Sequence, residues 1–273
     1  QGNSFICVNP YKKFNRALYG GNTAFRVETG DLPEFALYMP GMGGNCKIGF
    51  IKNNQSKWLS QCSKIKTVYE AGTMLYDIQD ELLGNATIHL AVLSLNPTEG
   101  MIVQTSSTNL ADSLQMVVLY GGASGKKFSR DGDIGADPES SFYLHADNCK
   151  DNIYTLQQNS FRLQYGFSKN LSEEQRYEIQ YAKPTEAEKG QSKELTGIFP
   201  VNTNLQLSDA LQQNNPLQLL QASSSKQTPV VTASFYLSSI NEKYFTVYKP
   251  DAAIKLSTNL AELFAQAEQS RKK

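Results

Sequence analysis

The chain lacks most of what marks catalytic or metal-binding proteins. Among 273 residues there are two histidines, His89 and His145, one tryptophan, Trp58, and four cysteines. No GxSxG elbow occurs, so the sequence gives no sign of a serine hydrolase of that kind. Cys7, Cys46, Cys62 and Cys149 never form CxxC, which removes zinc by its usual spacing. Their even number leaves two readings: two disulfides in one of three pairings, or small buried hydrophobes. Excess charge is missing too. The 26 basic side chains are matched by 26 acidic ones, so no positive field recruits nucleic acid. No apolar run nears the roughly 20 residues that cross a bilayer. Gln1 stands where an initiator Met would, so a signal peptide or trimmed residues are expected upstream.

What is present is β-sheet sequence. With 40% hydrophobic residues the chain can build one large core or two small ones. Ala24–Thr29 sets Phe25 and Val27 against Arg26 and Glu28, the period of a half-buried strand. Similar short strands are predicted at Ser4–Val8, Phe35–Met39, Cys46–Ile51, Lys57–Cys62, Ile65–Glu70 and Thr73–Asp77. Ala86–Leu95 is the longest apolar run and reads as a central strand. Met101–Thr105, Gln115–Tyr120, Asn152–Leu156 and Phe161–Phe167 follow. Arg176–Ala182, Leu195–Phe199, Val230–Leu237 and Tyr244–Tyr248 complete the set. Pro40–Asn45, with three glycines, is predicted to be a tight turn. This spacing predicts an all-β fold, a large two-sheet β-sandwich.

Two segments break the pattern. Ser208–Ala222 reads as a short helix interrupted at Asn214-Asn215-Pro216. Asn259–Gln269 is a clearer helix, with Asn259 as cap, Glu262 at the capping-box position and Leu260, Leu263, Phe264 and Ala267 on one face. That stripe either meets a partner or packs back on its own sheet. Lys183–Lys193 reads as an exposed hairpin tip.

The chain is organised around Tyr120–Leu144, a long polar loop with five glycines, four acids and three bases. It leaves one strand and is expected to re-enter another at Ser141–Leu144. Loops of this length are usually functional or disordered, and its composition favours order, with Arg130 and the nearby aspartates hydrogen-bonded to one another. The run 121–126 fails as a phosphate loop, because Tyr120 stands at the first glycine position and Lys127 where Ser or Thr belongs. Asp131, Asp133 and Asp137 offer oxygens at spacings that calcium accepts, although Gly135 and Glu139 depart from the EF-hand. The other reading is that the aspartates shape the turn. No cofactor is implied. The binding or interface candidates are Trp58, Arg130, Asp131, Asp133, Asp137 and Glu139; Trp58 either stacks on a sugar or lies buried between sheets. His89 reads as a core or cross-strand histidine. His145 and Cys149, four apart, are weak material for a thiol–imidazole pair, and no carboxylate pair of the glycosidase kind stands out.

Two stretches, 15–45 and 120–144, resemble the Bacteroidetes domain-of-unknown-function family 4450. The resemblance implies a galactose-mutarotase-like β-supersandwich, residues 1–256, followed by a linker helix at 257–273. It implies a secreted or periplasmic glycoside hydrolase acting on complex plant glycans, whose catalytic acids sit in a following helical toroid. For this chain the expectation is a non-catalytic accessory domain whose partner is that helical domain of the same polypeptide, and a glycan. A free-standing carbohydrate-binding module and a small glycosidase using acids near 121–139 are the alternatives.

Overall fold

The computed structural model describes residues 4–11, 15–21, 24–39, 41–126, 142–166, 193–222, 227–254 and 256–271. Within them lie β1 (Phe5–Val8), β2 (Asn15–Tyr19), β3 (Arg26–Gly30), β4 (Glu34–Tyr38), β5 (Met42–Lys52) and β6 (Gln55–Trp58). Next come β7 (Lys64–Glu70), β8 (Thr73–Gln79), β9 (Thr87–Ser94), β10 (Gly100–Thr108) and β11 (Leu114–Gly121). The rest are β12 (Ile153–Gln157), β13 (Ser160–Tyr165), β14 (Lys193–Ile198), β15 (Asn204–Asp209), helix α1 (Pro216–Gln221), β16 (Pro229–Leu237), β17 (Lys243–Tyr248) and helix α2 (Leu260–Arg271).

The strands build two antiparallel sheets, as the alternation predicts. One runs β1-β7-β8-β9-β10-β17-β14-β13-β12; the other runs β15-β16-β11-β5-β4-β3-β2, with β6 paired to β5. Alternation decides which side chains meet between them. Ile88, Leu90 and Val92 of β9 turn inward and share a core with Val27, Phe50, Met116 and Val118 of the other sheet. His89 and Leu93, one residue out of phase, lie on the outer face.

A polar staple joins the two sheets at one end. The Asp80 carboxylate, just after β8, takes Lys57 Nζ from β6 at 2.8 and 3.0 Å. It also accepts Ser63 N at 3.0 Å and Leu82 N at 3.1 Å. Burial alone would raise the Asp80 pKa, but these donors outweigh it and hold the carboxyl below its usual value.

Both outer faces are partly covered. On the nine-stranded sheet α2 lays Leu263 and Ala267 over Leu93, Leu95 and Ile102, and Phe264 meets Tyr244 at 5.5 Å. Burying Leu263 is worth roughly 1.5–3 kcal/mol. Asn259 caps the helix by accepting Ala261 N at 3.1 Å and Glu262 N at 3.4 Å, while the Glu262 carboxylate accepts Ser257 Oγ at 2.9 Å. Arg271 closes it, donating to Ala71 O at 3.3 Å in the β7–β8 turn. The apolar stripe therefore packs on its own sheet.

Other expectations need correction. Met42–Asn45 is strand, the start of β5. Leu144 is not in a strand; it precedes a 3-10 turn at Ala146–Cys149. Ser208–Ala222 divides into the end of β15, a 3-10 turn at Ala210–Gln212 and α1, whose cap Asn215 accepts Gln218 N at 2.9 Å. The expected strand Arg176–Ala182 and nearly all of the hairpin tip lie outside the described residues. All four cysteines are free.

Candidate functional site

The rims of the long loop sit where the outer face of the eight-stranded sheet meets the β4–β5 turn. After β11 the chain turns sharply at Gly122, φ +75°. Ser124 N and Gly125 N then donate to Met42 O at 3.1 and 2.8 Å, and Met42 N donates back to Lys126 O at 2.6 Å. On the far rim Phe142 packs against Ala36 and Met42. Gln213 Nε2 donates to Leu144 O at 2.9 Å. Asn152 Nδ2 returns to Ala123 O, tying the second rim to the first. The first end of the loop is thus fixed to the sheet by backbone bonds, and the second by side-chain amides and the packing of Phe142. The loop's own candidates, Arg130, Asp131, Asp133, Asp137 and Glu139, lie outside the described residues.

Gly122 is where this anchoring depends on a residue type. A Cβ there would find ordinary contacts, with Asn45 Oδ1 at 3.4 Å and Leu144 Cγ at 3.5 Å, so the obstacle is the left-handed backbone. Gly122→Val should destabilise by about 2 kcal/mol or more in urea unfolding. Gly122→Asn, which tolerates that region, should cost much less. Equal losses for the two would show that backbone strain is not the cause.

Beside the rims, buried charge lines the outer face of β2 and β3. Arg26 binds Glu28, which is 1% exposed and also accepts Asn15 Nδ2 at 2.9 Å. The Arg26 guanidinium lies 3.9 Å from the centre of the Tyr38 ring. The Glu28 carboxylate takes both Arg26 and Asn15 Nδ2, which braces neighbouring strands and offsets the cost of burying its charge. Alternation placed Arg26 and Glu28 outside the core, but their pairing had no signal in the sequence, because it depends on register.

Trp58 is a correction. It is 1% exposed, and its indole donates to Gln213 O at 2.9 Å. The ring lies over Gly49, with Pro216 of α1 close by and Lys47 Nζ 5.0 Å from its centre. It packs on the outside of the eight-stranded sheet with Leu119 and Leu219, where it offers no platform to a sugar.

The histidines divide. The His145 ring lies tilted against Tyr143, 4.6 Å between centroids, while Cys149 donates to the His145 carbonyl at 3.7 Å. Burial pushes the Cys149 thiol up to about 12, the reverse of nucleophile activation. His89 is a cross-strand residue, bonded through Nδ1 to Asp77 Oδ1 at 2.7 Å and through Nε2 to Thr108 Oγ1 at 3.0 Å. Among the described residues no cluster of three or more His, Cys, Asp or Glu side chains could hold a metal ion, and no helix is long and apolar enough to cross a membrane.

Comparison with known proteins adds three findings. A family model described as "Domain of unknown function (DUF4450)" matches residues 39–268. No curated protein matches the chain. Among solved structures, the crystal structure of a bacterial glucoamylase complexed with acarbose is similar at 7% identity and a TM-score of 0.46. That match covers 98% of this chain and 40% of the other, so the chain spans less than half the length of that protein.

Proposed function

The chain belongs to the DUF4450 family, and we propose that it acts as a non-catalytic accessory β-sandwich domain of a glycoside hydrolase that degrades complex plant glycans. The observation that supports this reading is how three of the four buried acids among the described residues are used. Glu28 is held by Arg26 and Asn15. Asp31 pairs with Arg16 at 3.3 Å, and its carbonyl accepts Thr67 Oγ1 at 2.6 Å from the opposite sheet. Asp80 is held by Lys57 and two amides. Glycosidases set two carboxyls about 5–9.5 Å apart across a sugar. These three acids instead brace strands and turns of the scaffold.

In this reading the catalytic acids sit in a helical domain of the same polypeptide, placed in the periplasm or outside the cell, and α2 begins the linker toward it. The resemblance of residues 15–45 and 120–144 supports those choices. The test is turnover. The purified chain, incubated with a panel of pectic oligosaccharides, should release no reducing ends. Release that disappears in Asp131→Asn, Asp133→Asn or Asp137→Asn would replace the accessory role by that of a small hydrolase using the long loop.

A further inference from the structure

Beyond the reach of α2, the outer face of the nine-stranded sheet holds a groove of about 390 Å³ across β7, β8 and β9. Val8, which ends the edge strand β1, and Asn9 after it line one side. The floor is made of Lys64, Lys66, Asp77, Gln79, Thr87 and His89. Register explains the convergence: Lys64 stands opposite Gln79, Lys66 opposite Asp77, and Asp77 opposite His89.

The floor has a definite charge plan. Lys66 Nζ lies 3.6 Å from Asp77 Oδ2, while Asp77 Oδ1 takes His89 Nδ1 at 2.7 Å. Gln79 Nε2 donates to Thr87 Oγ1 at 2.9 Å. Lys64 has no acidic partner among the described residues, so with Lys66 and Asp77 cancelling, one positive charge is left over. Lys64 and Lys66 are two residues apart on one strand face, about 6.6 Å between Cα atoms, close enough for both ammonium groups to reach one anion. Gln79, Thr87 and Asp77 add acceptors and donors within the same groove, and Val8 contributes an apolar wall. A volume of this size falls in the range of small-molecule sites.

We propose that this groove binds a sugar carrying one anionic group, with Lys64 and Lys66 at the anion and Asp77, Gln79 and Thr87 at the hydroxyls. One anion matches the single surplus charge, and the alternating donors and acceptors match neighbouring hydroxyls. The choice of a sugar rests on the glycan reading above. The test uses neither turnover nor a partner domain, so failure of one reading leaves the other standing.

The experiment is amide NMR titration of the chain with four probes: glucuronate, glucose 6-phosphate, methyl glucoside and inorganic phosphate. Shifts confined to β7–β9 with glucuronate or glucose 6-phosphate, absent with methyl glucoside and much weaker with inorganic phosphate, are expected. Whichever of the first two binds identifies the source of the charge. Lys64→Gln and Lys66→Gln should each weaken that binding about tenfold and leave the melting temperature unchanged. An equal response to methyl glucoside removes the charge requirement, and an equal response to inorganic phosphate removes the sugar. Either result overturns the proposal, as does no response to any probe or full affinity in Lys64→Gln.

Discussion

Replacing Asp80 by alanine should lower stability by about 2–4 kcal/mol, because it removes the charged acceptor of Lys57 Nζ, Ser63 N and Leu82 N. For a chain of this size that is a fall of roughly 10 °C in melting temperature. The carboxylate is fully buried and holds one ammonium and two backbone amides, so its loss leaves Ser63 N and Leu82 N without their acceptor. Lys57 is about one-third exposed and can still reach solvent when Asp80 is removed. Lys57→Met instead leaves a fully buried carboxylate without its ammonium, so it should cost at least as much as Asp80→Ala. The pH dependence has a fixed sign. Because folding lowers the Asp80 pKa, its contribution is complete above the unfolded carboxylate value of about 3.9. It is lost as pH falls through the lower folded value. The gap in stability between wild type and Asp80→Asn should therefore narrow below about pH 4. A gap that stays constant in acid would remove the ion pair as the source.

Gly44→Ala should cost about 2–5 kcal/mol. The residue sits in β5 at φ +123°, a conformation open to glycine and costly for others. A Cβ there would lie 2.8 Å from the Tyr120 hydroxyl and 2.9 Å from its ring, so overpacking adds to the strain. Tyr120 cannot easily withdraw, since its hydroxyl donates to Gly43 O at 2.7 Å and its ring stacks on Phe161 at 5.7 Å. Chemical unfolding of Gly44→Ala, Tyr120→Phe and the double variant separates the two effects. The double variant should recover part of the loss through relief of the hydroxyl contact, with the backbone strain remaining. Wild-type stability in Gly44→Ala would contradict both arguments.

Where side chains alternate strongly the fold was legible. Phe25 and Val27, or Ile88, Leu90 and Val92, declare their inward face without help. Strands with little to bury were missed. β2, NRALY, sends only Leu18 into the central core, and in β15, NLQLSD, Leu205 and Leu207 are only partly buried. The glycine run at 41–44 read as a turn because glycine signals backbone freedom. Here it also makes room for Tyr120, a contact 76 residues distant in the chain that no local pattern announces. Trp58 shows the same limit: residue type says that a ring is amphipathic, and only packing says that α1 covers it. The groove was illegible for a related reason, since Asp77 and His89 meet through the register of a hairpin. The long loop stood out by composition, and its rims do anchor to the sheet.

The strand order has a consequence for how the chain is made. β7, β8, β9 and β10 are consecutive neighbours, each joined to the next by a short connection, and can zip together as soon as they leave the ribosome. The next place in that sheet belongs to β17, which pairs Gly100 with Tyr248. Closing that contact carries the loop-closure entropy of well over a hundred intervening residues and is intrinsically slow. Until the last strand arrives, the backbone edge of β10 stands open, and Ile102 waits for the α2 helix that will roof it. A nascent chain with an unpaired edge carrying Met101, Ile102 and Val103 is prone to pair with its neighbours. The middle of the larger sheet, rather than its rim, is therefore where biosynthesis of this protein is most exposed to aggregation.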